Sequence, residues 1–182
     1  MKTKKRLEEF VRDHKLDTNV GLRVITFEDL AQLKSEGCSI EEMLNYLSKN
    51  YNRLLHGSRN DICDGELRLG EDGRVYASDM SAVAILKAIF SREGRGYVNL
   101  RYPFFTNIFK PFKLKIEGIN NHTIGERGFV YVVDRDGFRN EPKGSWQYVR
   151  ESATPILAKI SIQREDFNYP VFDVTNGNRR IQ

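Results

Sequence analysis

Apolar residues recur at helical spacing over the first fifty positions, then fall into short runs after Asn52. Residues 4–15 carry Leu7, Phe10 and Val11 near one helical face. Thr26-Phe27-Glu28-Asp29 predicts a capped start, with Thr26 as N-cap and Asp29 in the place of the capping-box acid. That helix is expected to reach about Ser35 and to stop at Gly37. Ser39-Ile40-Glu41-Glu42 repeats the start signal, and Ile40, Met43, Leu44 and Leu47 form an apolar stripe behind it. Two helices around a Gly-containing turn could make a helix-turn-helix DNA-binding unit. The second is not rich in Arg or Lys, which favours a small helical cap instead. From Asn52 the pattern predicts strands near residues 53–56, 74–77, 97–101, 113–117, 129–133, 146–151 and 155–162. One helix interrupts them at 81–91, where Val83, Ile85, Leu86, Ile89 and Phe90 are apolar nearly all round, so it should be largely buried. Asp134-Arg135-Asp136-Gly137 reads as a turn and Arg92-Glu93-Gly94-Arg95-Gly96 as a link. The expected fold is α+β, with a helical extension or cap over residues 1–50 and a mostly β domain over 51–182.

Composition narrows this picture. The chain has 182 residues, 40% of them apolar, enough for one domain with an ordinary core. No apolar run approaches the roughly 20 residues of a membrane helix, so no membrane partner is expected. The basic start, Met1-Lys2-Thr3-Lys4-Lys5-Arg6, is followed by Leu7-Glu8-Glu9-Phe10 rather than a hydrophobic signal core. A cytoplasmic protein is the expectation. Cys38 and Cys63 lie far apart without metal-ligand spacing, which suggests reduced thiols and no metal. A net charge of +4 permits an acidic partner, such as dinucleotide phosphates or nucleic acid, without requiring one.

The richest stretch chemically is Asn52-Arg53-Leu54-Leu55-His56-Gly57-Ser58-Arg59. A strand ending in His-Gly-Ser offers a ring nitrogen, an unobstructed peptide and a hydroxyl to one ligand. Val75-Tyr76-Ala77-Ser78-Asp79-Met80-Ser81 follows, leading into a helix that opens with serine and small residues. In this order, the two segments resemble the NAD-binding strands of the ADP-ribosyltransferases, in particular the poly(ADP-ribose) polymerase-like members of His-Tyr-Glu type. The resemblance implies a split β-sheet core and NAD as substrate. It implies that His56 bonds a ribose hydroxyl, that Gly57 holds the nicotinamide carboxamide through its backbone, that Ser58 supports the nicotinamide or its ribose, and that Tyr76 stacks on the nicotinamide ring. The segment between His56 and Tyr76 is shorter than the polymerase pattern, so the adenosine side of the pocket is expected to differ.

The family's third element is a glutamate at the start of a later strand, which stabilises the oxocarbenium-like transition state. In Ser145-Trp146-Gln147-Tyr148-Val149-Arg150-Glu151 the hydrophobic pattern puts Gln147 at that position, with Glu151 four residues on and on the same side of the strand. Either Glu151 acts in a shifted register, or Gln147 fills the place without full charge and the chain transfers slowly or only binds. Glu126 is a reserve carboxylate. Arg59 could meet a pyrophosphate, and an ordinary surface arginine is an equal reading. His122 sits in a polar loop and could gate the pocket or contact substrate, although a loop histidine without function is the favoured reading. Residues 102–112 are aromatic and flanked by basic residues; they could stack nucleic-acid bases, or simply cover the core.

These expectations amount to a mono-ADP-ribosyltransferase acting on an unidentified acceptor, which could be a protein, a nucleic acid or a small molecule. The resemblance alone implies a bacterial or phage effector, a toxin or a drug-modifying enzyme, as small free-standing domains of this kind often are, and leaves open an inhibitory partner protein. The alternatives are a module that binds NAD or ADP-ribose without turnover, and an RNA 2′-phosphotransferase-like enzyme. The latter would need a set of arginines around the transferred phosphate that the sequence does not assemble.

Overall fold

The computed structural model describes residues 2–92, 99–100, 114–117, 122–173 and 179–180. Its described helices are α1 (Lys2–Asp13), α2 (Phe27–Ser35), α3 (Ile40–Asn50) and α4 (Ser81–Ile89). The strands are β1 (Arg23–Ile25), β2 (Arg53–Ser58), β3 (Glu66–Leu67), β4 (Val75–Ser78), β5 (Phe90–Arg92), β6 (Asn99–Leu100), β7 (Leu114–Glu117) and β8 (His122–Ile124). They continue with β9 (Arg127–Asp134), β10 (Arg139–Asn140), β11 (Gln147–Arg150), β12 (Thr154–Pro155), β13 (Ala158–Gln163), β14 (Val171–Asp173) and β15 (Arg179–Arg180). The fold is α+β.

Local chemistry sets the helix ends. Thr26 Oγ1 accepts from Asp29 N–H while Asp29 Oδ2 accepts from Thr26 N–H at 2.8 Å, a complete capping box for α2. Ser39 and Glu42 do the same for α3. Gly37, at φ +80°, turns the chain between them in a conformation that L side chains rarely adopt. α4 is buried at every residue but Lys87, as its all-round apolar pattern predicts.

The main sheet has seven strands in the order β1-β13-β9-β2-β4-β11-β10. β1 runs parallel to β13, and the other neighbours are antiparallel. A four-stranded sheet, β15-β14-β7-β6, and two short pairs, β3–β12 and β5–β8, complete the described strands. One core joins Leu7, Phe10 and Val11 of α1, the apolar faces of α2 and α3, and α4 with Leu55, Val130, Val132 and Ile160 of the sheet. A second core on the other face holds Leu54, Val75, Ala77, Tyr131 and Val133.

The first fifty residues are therefore not purely helical: Arg23–Ile25 is an edge strand of the main sheet, and the three helices share the sheet's core. The run expected at 155–162 is broken into β12 and β13, because Thr154 and Pro155 pair with β3 while the chain from Ala158 on pairs with β9 and β1. Of the strand expected at 97–101, only Asn99–Leu100 lies among the described residues, and the aromatic run at 102–112 lies outside them.

Candidate functional site: an opened sheet edge

Register defines the site. Arg135 N–H donates to Asn52 O at 3.0 Å, extending the β2–β9 ladder in which Arg53 opposes Asp134. Hydrogen-bonding edges alternate along a strand, so the even-numbered residues of β2 address β9 and the odd ones, Leu55 and Gly57, turn N–H and C=O toward β4. There the ladder is a single pair, Leu55 opposite Ser78. The next pair in that register, Gly57 with Tyr76, is not formed. The sheet thus opens between β2 and β4, and Gly57 presents a donor and an acceptor to the opening.

His56 spans the opening from below. Its Nδ1 lies 2.6 Å from Tyr76 O. A carbonyl can only accept, so Nδ1 carries the proton. Desolvation, reinforced by the nearby charge of Lys87, holds the imidazole below its ordinary pKa against the opposing Tyr76 bond. The ring is therefore neutral near pH 7, with Nε2 as an acceptor of fixed direction. Tyr131 stands 6.3 Å away, ring to ring, and is itself locked: its hydroxyl donates to Asn60 O and accepts from Ile62 N–H, each at 2.7 Å. Burial pushes that phenol up to about 12. It fixes the loop that leaves β2.

Opposed residues of an antiparallel pair share a face, so Leu55, Gly57, Ser78 and Tyr76 all lie on the α4 side. α4 sits directly on Gly57: a Cβ there would fall 1.9 Å from Ala84 O and 2.8 Å from Lys87 Cβ. Tyr76 is half-exposed beside it, its hydroxyl donating to Asp72 in the turn before β4. That bond raises its pKa, so the ring remains a neutral phenol. Ser58 Oγ accepts from Asn60 N–H at 3.1 Å and shapes the exit of β2. Arg59 is exposed, with its guanidinium against Gly125.

The expected carboxylate positions separate along β11. Gln147 opposes Ser78, level with the closed Leu55 pair, and its Nε2 donates to Glu141 O at 3.2 Å. Arg150 opposes Val75, which places Glu151 just past the paired segment, on a strand separated from β2 by β4. Glu151 is exposed and accepts from Arg139 Nη2 at 2.6 Å, a contact that lowers its pKa. Arg139 also meets Glu141, which pairs with Arg74, so four alternating charges line this rim. Glu126 lies on the other flank of β2, at the entrance to β9, 3.8 Å from Arg164. His122 begins β8, opposite Arg92, rather than a loop.

The structure thus brings His56, Gly57 and Tyr76 together, with Ser58 at the exit of β2, whereas Glu151 lies past the end of the β4–β11 pairing, two strands from Gly57. Glu126 falls outside that group. Lys87 and Asp72 belong to it as well, and the sequence reading did not name them. Lys87 had a signal: it is the one charged residue of an otherwise apolar helix. Comparison of the chain with protein-family models, with curated proteins and with solved structures finds no match. Among the described residues no helix is long and apolar enough to cross a membrane, and no cluster of three His, Cys, Asp or Glu could hold a metal. Cys38 and Cys63 are both free thiols.

Proposed function

We propose that the chain is an NAD⁺-dependent mono-ADP-ribosyltransferase, built on a split sheet like that of the family its His-Gly-Ser segment resembles. The observation that carries this reading is the unpaired Gly57 edge beside Tyr76. One peptide supplies an N–H and a C=O in fixed relation, which matches the oxygen and amide nitrogen of a carboxamide. Tyr76 offers a ring face to the nicotinamide. His56 Nε2, bare and directional, accepts from a ribose hydroxyl.

In the reaction, the bond between nicotinamide nitrogen and the ribose carbon breaks. Its electron pair leaves with nicotinamide, which becomes neutral. The acceptor's nucleophile then bonds the ribose carbon and releases its proton. Positive charge builds on the sugar only in the transition state, where an ionised carboxylate stabilises it. Glu151 suits this role better than Gln147 because it is the acid of this segment, whereas Gln147 is uncharged and level with the closed pair. The acceptor is a protein, a nucleic acid or a small molecule.

A second reading has its own support. Glu151 is already engaged by Arg139, and Gln147 carries no charge. A module that binds NAD or ADP-ribose without turnover would have these features. Nicotinamide release from NAD⁺ by the purified protein decides between them, with Glu151→Gln and Gln147→Ala alongside. Release abolished by Glu151→Gln supports the transferase. Tight NAD binding without release favours the module, and absence of both overturns the two readings together.

A further inference from the structure

β4 begins directly after a tight turn. Gly70 N–H donates to Arg74 O at 2.9 Å and Gly73 N–H to Gly70 O at 3.0 Å, so residues 70–74 close on themselves. Asp72 lies in this turn with both carboxylate oxygens engaged. Its Oδ1 accepts from Arg74 N–H at 3.2 Å, a bond that aspartates commonly make in turns. Its Oδ2 accepts from the Tyr76 hydroxyl, which the turn does not require. The Arg74 guanidinium faces the same phenol and is itself held by Glu141 at 3.1 Å. Two groups that the turn and β4 fix in place therefore hold the far end of Tyr76. The strand fixes the near end, at the edge where the pair with Gly57 is missing. A ring tied at both ends keeps its axis, and the only motion left is a flip that exchanges like edges. Tyr76 is half-exposed, and without the tie its side chain would be free to visit other staggered rotamers. A ligand stacking on it would then have to immobilise it at the moment of binding.

We propose that Asp72 is a positioning residue, which holds Tyr76 in one rotamer so that its ring stands ready beside Gly57 before a planar aromatic amide arrives. The proposal rests on the reading of the opening as a nicotinamide site, and it deepens that reading by naming what orients the stacking ring. Asp72 touches no ligand in this scheme and acts through the Tyr76 hydroxyl alone.

Calorimetric titration of the full chain with nicotinamide and, separately, with ADP-ribose tests this. Asp72→Ala should weaken nicotinamide binding roughly three- to tenfold, the scale of one hydrogen bond, and leave ADP-ribose binding unchanged because that ligand has no nicotinamide ring to stack. Asp72→Asn keeps a group that can pair with the phenol and should retain most of the affinity. Tyr76→Phe keeps the ring and loses the tie, so it should match Asp72→Ala, and the double variant should be no worse than either alone. Melting temperatures establish that each protein is folded. If Asp72→Ala is not, Tyr76→Phe carries the test, since it removes the same bond and leaves the turn intact. Wild-type nicotinamide affinity in Asp72→Ala or in Tyr76→Phe overturns the proposal. So does a parallel loss of ADP-ribose binding, or an Asp72→Ala effect that persists in full on the Tyr76→Phe background, because either would mean that Asp72 acts through the turn. Tyr76→Ala separates the two levels. If it loses nicotinamide while Asp72→Ala does not, the tie fails and the stacking reading stands. If it binds nicotinamide like the wild type, both fall, as they do if the wild type binds neither probe.

Discussion

At residue scale, the opening depends on groups whose protonation the fold has fixed. His56 is held neutral, so its folded-state pKa lies below the unfolded value near 6.5. Above that value both states are uncharged and the stability is fully present. As pH falls below about 6.5 the unfolded chain takes up a proton that the folded chain resists, and stability drops until the folded pKa is passed. Melting temperature should therefore fall more between pH 7.5 and 5 for the wild type than for His56→Gln. Equal falls would mean that His56 is not held neutral. Glu151 is displaced in the acidic direction because Arg139 favours its ionised form. If an ionised Glu151 is needed for nicotinamide release, Arg139→Gln should move the acid limb of the pH–rate profile to higher pH. An unmoved limb would take Glu151 out of the reaction. His56, Gly57 and Tyr76 were legible in the sequence because they sit in two short segments. Asp72, Arg139 and Lys87 were not, since each gains meaning only from a partner that another strand or helix brings to it.

At the scale of elements, α4 explains the glycines. Gly57 was readable as a point of close approach, but what approaches in this structure is a helix backbone. Gly128 on β9 repeats the arrangement one helical turn on, where a Cβ would stand 1.7 Å from Ala88 O. Ala84 and Ala88 thus lie on two bare strand positions, and α4 seats deeply on the sheet. Gly128→Ala should destabilise the protein by about 1–3 kcal/mol, the usual cost of overpacking. Gly57→Ala should cost a similar amount, and the double variant less than the sum, because one displacement of α4 relieves both. Chemical denaturation measures this, and strict additivity would mean that each strand yields on its own. Any activity lost in Gly57→Ala then reflects the helix as well as the ligand. The capping boxes of α2 and α3 were legible because they are complete within four residues. β1 was not: three residues long, it becomes a strand only by pairing with Ala158, Lys159 and Ile160 far along the chain.

For the molecule as a whole, the amino-terminal segment is part of the main structure. Leu7, Phe10, Val11 and Leu16 are buried in the same core as α4 and the sheet. Asn19 also bonds Arg53, whose side chain is 4% exposed and paired with Asp134 at 2.6 Å. Burying each aliphatic or aromatic residue contributes roughly 1.5–3 kcal/mol, so four of them rival the ~5–15 kcal/mol that holds a domain together. A chain lacking residues 2–20 should have no cooperative thermal transition by circular dichroism. A sharp transition near the wild-type temperature would instead make that segment a detachable cap. The helical character of this region was legible from periodicity, whereas its integration was not, because core membership is decided by contacts between distant residues. The gap in the ladder has one more consequence. Leu55 and Gly57 are two residues apart on the same edge of one strand, yet only Leu55 has its partner on β4. In a nuclear magnetic resonance experiment in heavy water, the Gly57 amide should trade its proton far sooner than that of Leu55. A molecule that fills the gap would slow this one signal, so the protein carries a native reporter of occupancy that needs no label and no knowledge of the acceptor.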